Sequence, residues 1–190
     1  MTDVQRTPLT IDPADLLQAF GQSASTCTPQ APAVAPGDGL EAVWAAVRAA
    51  GEGAGLGLLA ASVVTGLRAR VSEVTARVGA GPAVTVALSG PWSPGTTADA
   101  SPRWVSDLLQ AAGGRTAAPE AAEVTLILGP EMAGDTPRSD VRVAIDLRRP
   151  GPRLAEAAEV LAAALHPERC SDLAVRHAAR IARRTRPPGN

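Results

Sequence analysis

The sequence VRVAIDLRRPGPRLAEAAEVLAAALHPERC (residues 141–170) joins a strand signal, a turn signal and a helix signal in direct succession. The run at 141–147 is largely apolar and rich in β-branched residues, which is typical of a strand buried on both faces of a sheet. Pro150 and Pro152 fix their φ angles and lack N–H donors, so they predict a rigid turn that launches a helix. That helix is predicted over 152–165, before Pro167.

Similar signals precede this unit. AVTVAL (83–88) and EVTLILG (123–129) predict two further buried strands, with a helix at 102–112 between them. Upstream, helices are predicted at 39–50 and 58–78. The second helix carries one apolar stripe at spacings of three and four, formed by Leu59, Val63, Leu67, Val71, Val74 and Val78. The alternation of strands and helices along the chain predicts an α/β fold with a mostly parallel sheet of about three to four strands, flanked by helices.

The two ends of the chain are predicted to be accessory to this lobe. Asp12 and Pro13 open a short helix that is expected to be peripheral, and a Ser/Thr/Pro/Ala-rich linker follows it. A last helix is predicted over 171–184. It would carry four arginines largely along one face, either for an acidic or phosphate-bearing partner or as a solvated helix end: Arg176, Arg180, Arg183 and Arg184. The predicted division is 1–38, N-terminal remnant and linker; 39–169, lobe; 170–190, Arg-rich helix and tail.

Composition limits the function classes. With 190 residues, 45% apolar and 19% charged, the chain suits one ordinary globular domain. A net charge of −1 argues against nucleic-acid binding. No signal-peptide pattern and no membrane-length apolar run is seen, so a cytoplasmic location is expected. Cys27 and Cys170 lack CxxC spacing and predict two free thiols.

The order of these segments resembles the C-terminal lobe of the cobalamin-type periplasmic binding proteins, the ABC-transporter substrate-binding proteins for vitamin B12, haem and iron-siderophores. The most specific matches are RPGPRLAEAAEVLAAALHPE (149–168) and WVSDLLQAAGG (104–114), and the resemblance covers roughly 39–169. It implies a Rossmann-like lobe with a long backbone helix at its N-terminal side, here 58–78, and a ligand held in a cleft. The N-terminal lobe is expected to be largely missing. SGPW (89–92) lacks the acidic residue that the family commonly has after this strand.

Three residues that follow predicted strands are candidates to bind a ligand. Trp92 would stack on a flat corrin or porphyrin, or else cover the sheet end. Met132 would flank the same ligand, or else fill a gap in the core. Arg148 opens the turn and would face a ligand or partner. The resemblance implies a corrinoid, haem or a siderophore as that ligand.

No pattern for catalysis or metal binding stands out. The sequence contains no GxSxG, HExxH or GxxxxGKS motif. Glu131, Asp135 and Asp146 lack a neighbouring base or nucleophile, and His166 and His177 are expected at surface positions without metal. No catalytic residue and no metal ligand is therefore predicted.

Two hypotheses about function remain open. The first is a non-enzymatic binding module reduced to one lobe, which would need a homodimer or a separate partner lobe to enclose a ligand, and which would relate to an ABC permease. The alternative is a cytoplasmic interaction or regulatory protein that retains the lobe as a scaffold without binding a small molecule.

Overall fold

The computed structural model describes residues 9–21, 32–79, 81–89, 101–128, 140–147 and 149–183. Its helices are α1 (Pro13–Ala19), α2 (Leu40–Gly53), α3 (Gly57–Val78), α4 (Arg103–Ala111), α5 (Leu154–Leu165) and α6 (Ser171–Arg176). Its strands are β1 (Val84–Ser89), β2 (Gly114–Thr116), β3 (Val124–Leu128), β4 (Asp140–Val143) and β5 (Ile181–Arg183). Two short 3-10 turns lie at Pro119–Ala121 and Ala178–Arg180.

The five strands form one sheet in the order β2-β1-β3-β4-β5. The first four strands of this order are parallel, and β5 pairs antiparallel with β4. The α/β prediction and the single Rossmann-like lobe are confirmed. The two edge strands, β2 and β5, have three residues each and raise the strand number above the expected three to four.

The strand predicted over 141–147 is shorter than expected. Pairing with β3 ends at Val143, and the chain then turns, with the Ile145 N–H bonded to the Val143 carbonyl at 2.9 Å. The apolar run continues because Ile145 and Leu147 are buried in the core beside the turn. Burial on its own therefore does not distinguish a strand from the loop that follows it.

Helix α5 lies at the centre of the helical layer. It contacts α3, α4 and α6, and all its residues from Leu154 to Ala164 except Glu156 are buried. Alanines make up half of this helix, and their small side chains let neighbouring helices approach closely. Trp104 of α4 packs in the same core and donates from Nε1 to the Leu147 carbonyl at 3.1 Å.

The long helix α3 matches the predicted span almost residue for residue. Leu67, Val74 and Val78 of the predicted stripe are buried, and Val63 and Val71 pack partly against the core. Leu59 is 38% exposed, and Ala60 and Val64 occupy the buried face instead. The stripe was therefore predicted correctly in the C-terminal part of the helix and about one position out of phase at its start.

The N-terminal helix α1 is not peripheral. Its cap is as predicted, because Asp12 Oδ1 accepts a hydrogen bond from the Ala14 N–H at 2.9 Å. Ile11, Leu16 and Phe20 are buried in the main core, however. Leu9 also pairs antiparallel with Val34, which is buried. The described parts of the N-terminal segment are thus packed against the lobe.

The last helix was predicted over 171–184, and this prediction is wrong after residue 176. Helix α6 ends at Arg176, and the chain then forms a 3-10 turn and the strand β5. Arg176, Arg180 and Arg183 therefore do not share a helix face, and Arg184 lies outside the described residues. Strand β5 gains backbone hydrogen bonds from the open edge of β4, a tertiary effect that outweighs local helix propensity. None of the described helices is long and apolar enough to cross a membrane.

Candidate functional site

An open cleft of about 910 Å³ lies at the carboxyl end of β4. The chain directly after that strand, 144–146, forms one side of it. Helices α1 and α3, the first turns of α5 and the 3-10 turn before β5 supply the other sides. Ligands of open parallel sheets bind at the carboxyl ends of strands, so the cleft has the expected position for a site in this fold. Its volume lies within the range of small-molecule sites, roughly 300–1,000 Å³.

The lining of the cleft is part apolar and part charged. Val63, Leu67, Ile145 and Pro152 supply apolar surface. The ionisable side chains are three acids and three arginines: Asp15, Asp146, Glu156, Arg70, Arg153 and Arg180. A ligand in this space would contact an apolar wall. The formal charges of the three acids and three arginines sum to zero.

Asp15 is the most buried acid of the cleft. Its side chain is 9% exposed and lies 2.6 Å, Oδ1 to Nη2, from the more exposed Arg153. Burial raises the pKa of the Asp15 carboxyl, and the guanidinium of Arg153 offsets this only in part. The pair joins α1 to the start of α5. Four residues before Arg153, in the turn that precedes α5, Arg149 makes a similar contact to Asp12 at 3.0 Å.

Arg180 lines the same cleft. Its Nη1 lies 3.1 Å from Oε2 of Glu156, in the first turn of α5. Of the two predicted partner-binding arginines with described side chains, Arg180 lines the cleft, and Arg176 lies 3.7 Å from Glu159. Both side chains are thus paired with acids of α5, and their contact with another protein remains a prediction.

The third arginine of the cleft, Arg70, also belongs to a cluster with Glu159 and His177, which we call the junction. Its Nε donates to Oε1 of Glu159 at 2.8 Å, and His177 Nε2 lies 3.0 Å from Oε2 of the same carboxylate. Burial opposes ionisation of Glu159, but the hydrogen bonds from Arg70 and His177 outweigh it, so its pKa lies below the usual range. The junction ties α3, α5 and α6 together.

The expectation that both histidines lie at the surface is therefore wrong for His177, whose side chain is 7% exposed. His166 is half-buried, with Nε2 3.3 Å from the Gly113 carbonyl. Within the described ranges, no three His, Cys, Asp or Glu side chains are grouped so as to hold a metal ion. Both rings thus have contacts that fit a structural role.

The three predicted ligand residues, Trp92, Met132 and Arg148, lie outside the described residues, as do Glu131 and Asp135. Of the acids considered at strand ends, Asp146 lines the cleft. Asp15, Arg153 and Glu156 were not predicted as site residues. For Asp15 and Arg153 a weak signal exists, a pair of aspartates (Asp12 and Asp15) and a pair of arginines around the RPGPR turn (Arg149 and Arg153).

Comparisons with known proteins bear on the fold. No family model matches the chain, and no curated protein matches it by sequence. Among solved structures, the chain is similar to a periplasmic haem-binding protein from Pseudomonas aeruginosa, with a TM-score of 0.50 and 19% sequence identity. The match covers 80% of this chain and 66% of that protein, just under two thirds of its length. At this identity the likeness concerns the fold.

Proposed function

We propose that this chain is a non-enzymatic binding module of the type that binds haem, cobalamin or iron-siderophores, reduced to one lobe. The observation that carries the proposal is the cleft of about 910 Å³ at the carboxyl end of β4. A similar fold is found in a protein described as a periplasmic haem-binding protein, which supports ligand binding as the function proposed here.

The places of the predicted ligand residues in the sequence are consistent with the same edge. Strands β1, β3 and β4 are adjacent and parallel, so their carboxyl ends lie side by side. Trp92 follows the end of β1 by three residues, and a chain of that length reaches at most about 11 Å between Cα atoms. Arg148 is bonded directly to Leu147, which packs in the core beside the cleft turn. We propose that Trp92, Met132 and Arg148 contribute to the ligand site.

An open cleft contacts only part of a ligand. Strong binding therefore requires a second wall, which we propose comes from a second copy of this chain or from a partner lobe. The role of Arg176, Arg180, Arg183 and Arg184 in such a contact belongs to this proposal.

The test is a titration of the purified chain with haemin, cyanocobalamin and a ferric hydroxamate siderophore, followed by thermal unfolding and tryptophan fluorescence. A ligand at 100 times its Kd stabilises the folded state by about 2.7 kcal/mol, which corresponds to about 5–10 °C in Tm. Trp92→Phe reduces the stacking surface and is expected to weaken binding, seen as a smaller rise in Tm at the same ligand concentration, while Trp44 and Trp104 stay buried in the core.

A matched pair of variants locates the site. Val63 lines the cleft, so Val63→Phe should fill part of it and weaken binding. Val175 on α6 is 79% exposed and is not among the cleft residues, so Val175→Phe should leave binding unchanged. No stabilisation by any of the three ligands would contradict the proposal and favour the alternative, a protein that keeps the lobe as an interaction scaffold.

A further inference from the structure

Two guanidinium groups face the cleft from neighbouring positions. Arg153 is the N-cap of α5, and Glu156 in the first turn holds Arg180. The backbone positions of Arg153 and of Glu156, the acid that holds Arg180, are three residues apart at the start of α5, a rise of about 4.5 Å along a helix. Both arginines line the cleft together with the apolar residues Leu67 and Ile145.

The arginines are more accessible than their acids. The side chains of Arg153 and Arg180 are 67% and 44% exposed, against 9% for Asp15 and 31% for Glu156. A ligand that enters from solvent therefore reaches these two guanidinium groups before the acids that they contact. Each guanidinium has five N–H donors in a planar fork, so it is able to hold a second carboxylate beside the one it already contacts.

We propose, on the premise of the function proposed above, that the cleft takes an amphipathic ligand with two carboxylates, bound by Arg153 and Arg180, and that binding is coupled to uptake of one proton by Asp15. The ligand body packs on the apolar wall. A ligand carboxylate on Arg153 adds a negative charge next to the buried carboxylate of Asp15. Two carboxylates that share one arginine favour protonation of the less solvated one.

The surroundings of Asp15 are consistent with this coupling. Burial raises its pKa, Arg153 and Arg149 lower it, and Asp12 and Asp146 raise it. These charges come from α1, from the turn that follows β4 and from the start of α5, while Arg70, Glu156 and Arg180 line the same cleft. Because the complex favours protonated Asp15, affinity should fall as the pH rises.

The experiment compares haemin, which carries two propionates, with haemin dimethyl ester, which carries none and has the same macrocycle. We expect haemin to bind more tightly than the ester by tenfold or more. Arg153→Gln and Arg180→Gln should each weaken haemin binding on the order of tenfold, since each removes a charge-assisted contact. Neither substitution should change the affinity for the ester by a similar factor.

The matched control is Arg48→Gln. Arg48 is 60% exposed, pairs with Glu52 on α2 and does not line the cleft. The Arg48→Gln variant should bind haemin with the same affinity as the unmodified chain. A loss in Arg48→Gln equal to that in Arg153→Gln would overturn the proposal, because it would show general attraction between a cationic surface and an anion.

Proton uptake is measured on the unmodified chain, so it does not depend on whether a variant folds. Calorimetric titrations with haemin in two buffers of different ionisation enthalpy should show net uptake, and Asp15→Asn should bind more tightly and lose that uptake. Equal affinity for haemin and its ester, or no proton uptake, would overturn this inference while the proposed function stands. Failure of both ligands, together with cyanocobalamin and the siderophore, would instead remove the proposed function.

Discussion

Replacement of Glu159 by Gln removes one negative charge from the junction between α3, α5 and α6 while keeping the shape of the side chain. Glu159 is 8% exposed in its side chain and accepts two hydrogen bonds, from Arg70 at 2.8 Å and from His177 at 3.0 Å. A hydrogen bond to a charged group contributes about 1.5–3 kcal/mol, and a neutral one about 0.5–1.5 kcal/mol. Replacing two charged hydrogen bonds by neutral ones therefore lowers the free energy of unfolding by about 2 kcal/mol. This value is at the lower end of the expected difference because Arg70 is 44% exposed to water.

The free energy of unfolding is to be measured by urea titration at pH 7, followed by circular dichroism at a helix wavelength. For a chain of this size, a loss of about 2 kcal/mol corresponds to a fall in Tm of about 4–8 °C. Glu52→Gln is the matched control, because the Arg48–Glu52 pair lies on the surface of α2 with both side chains half exposed or more. Such a pair contributes at most about 0.5 kcal/mol.

The pH dependence gives a second check with a defined sign. The pKa of Glu159 is lower in the folded chain than its unfolded value of about 4.3. Its stabilisation is therefore complete above that value and is lost as the pH falls through the folded pKa. The difference between the unmodified chain and Glu159→Gln should shrink below about pH 4.3. A variant as stable as Glu52→Gln at pH 7, or a difference independent of pH, would refute the reasoning.

Two glycines and one cysteine give further predictions. Gly113 has φ +74° and a Cβ there would lie 2.5 Å from His166 Nε2, so Gly113→Ala should lower the free energy of unfolding by at least about 1–2 kcal/mol. Gly66 lies within α3 with open space around it, so Gly66→Ala should raise that free energy by about 0.5–1 kcal/mol in the same urea assay. A rise for Gly113→Ala would contradict the first argument, and a fall for Gly66→Ala the second. Burial raises the pKa of the Cys170 thiol, so in a Cys27→Ser chain it should react with a disulfide reagent at pH 8 only after unfolding, and comparable rates in the folded and unfolded chain would count against the burial.

The parts of the fold that were predictable are those with a strong local pattern. The AVTVAL run predicted β1 and the long apolar stripe predicted α3, because burial on two faces or on one helix face imposes a periodicity that the sequence shows directly. Strands β2 and β5 have three residues each, too few to set a period. Both form because an open strand edge offers backbone partners, which only the assembled sheet provides.

The candidate site was harder to predict for a related reason. Asp15 and Arg153 are separated by most of the chain, and Arg70 and Glu159 by 89 residues. Glu159 lies in an Ala-rich helix, where a Glu normally indicates the solvent face. Its burial follows from the packing of α5 between α3 and α6, which is set by the fold as a whole. The residues that the sequence did single out follow strand ends, where the cleft is found.

The two short edge strands also affect how copies of this chain associate. An edge with three residues presents few unpaired amide and carbonyl groups, and association by strand addition needs a longer matching row. A homodimer that completes the cleft is therefore expected to form through side-chain surfaces rather than through a sheet continued across two molecules. The same brevity is expected to lower the tendency of the described sheet to aggregate edge to edge.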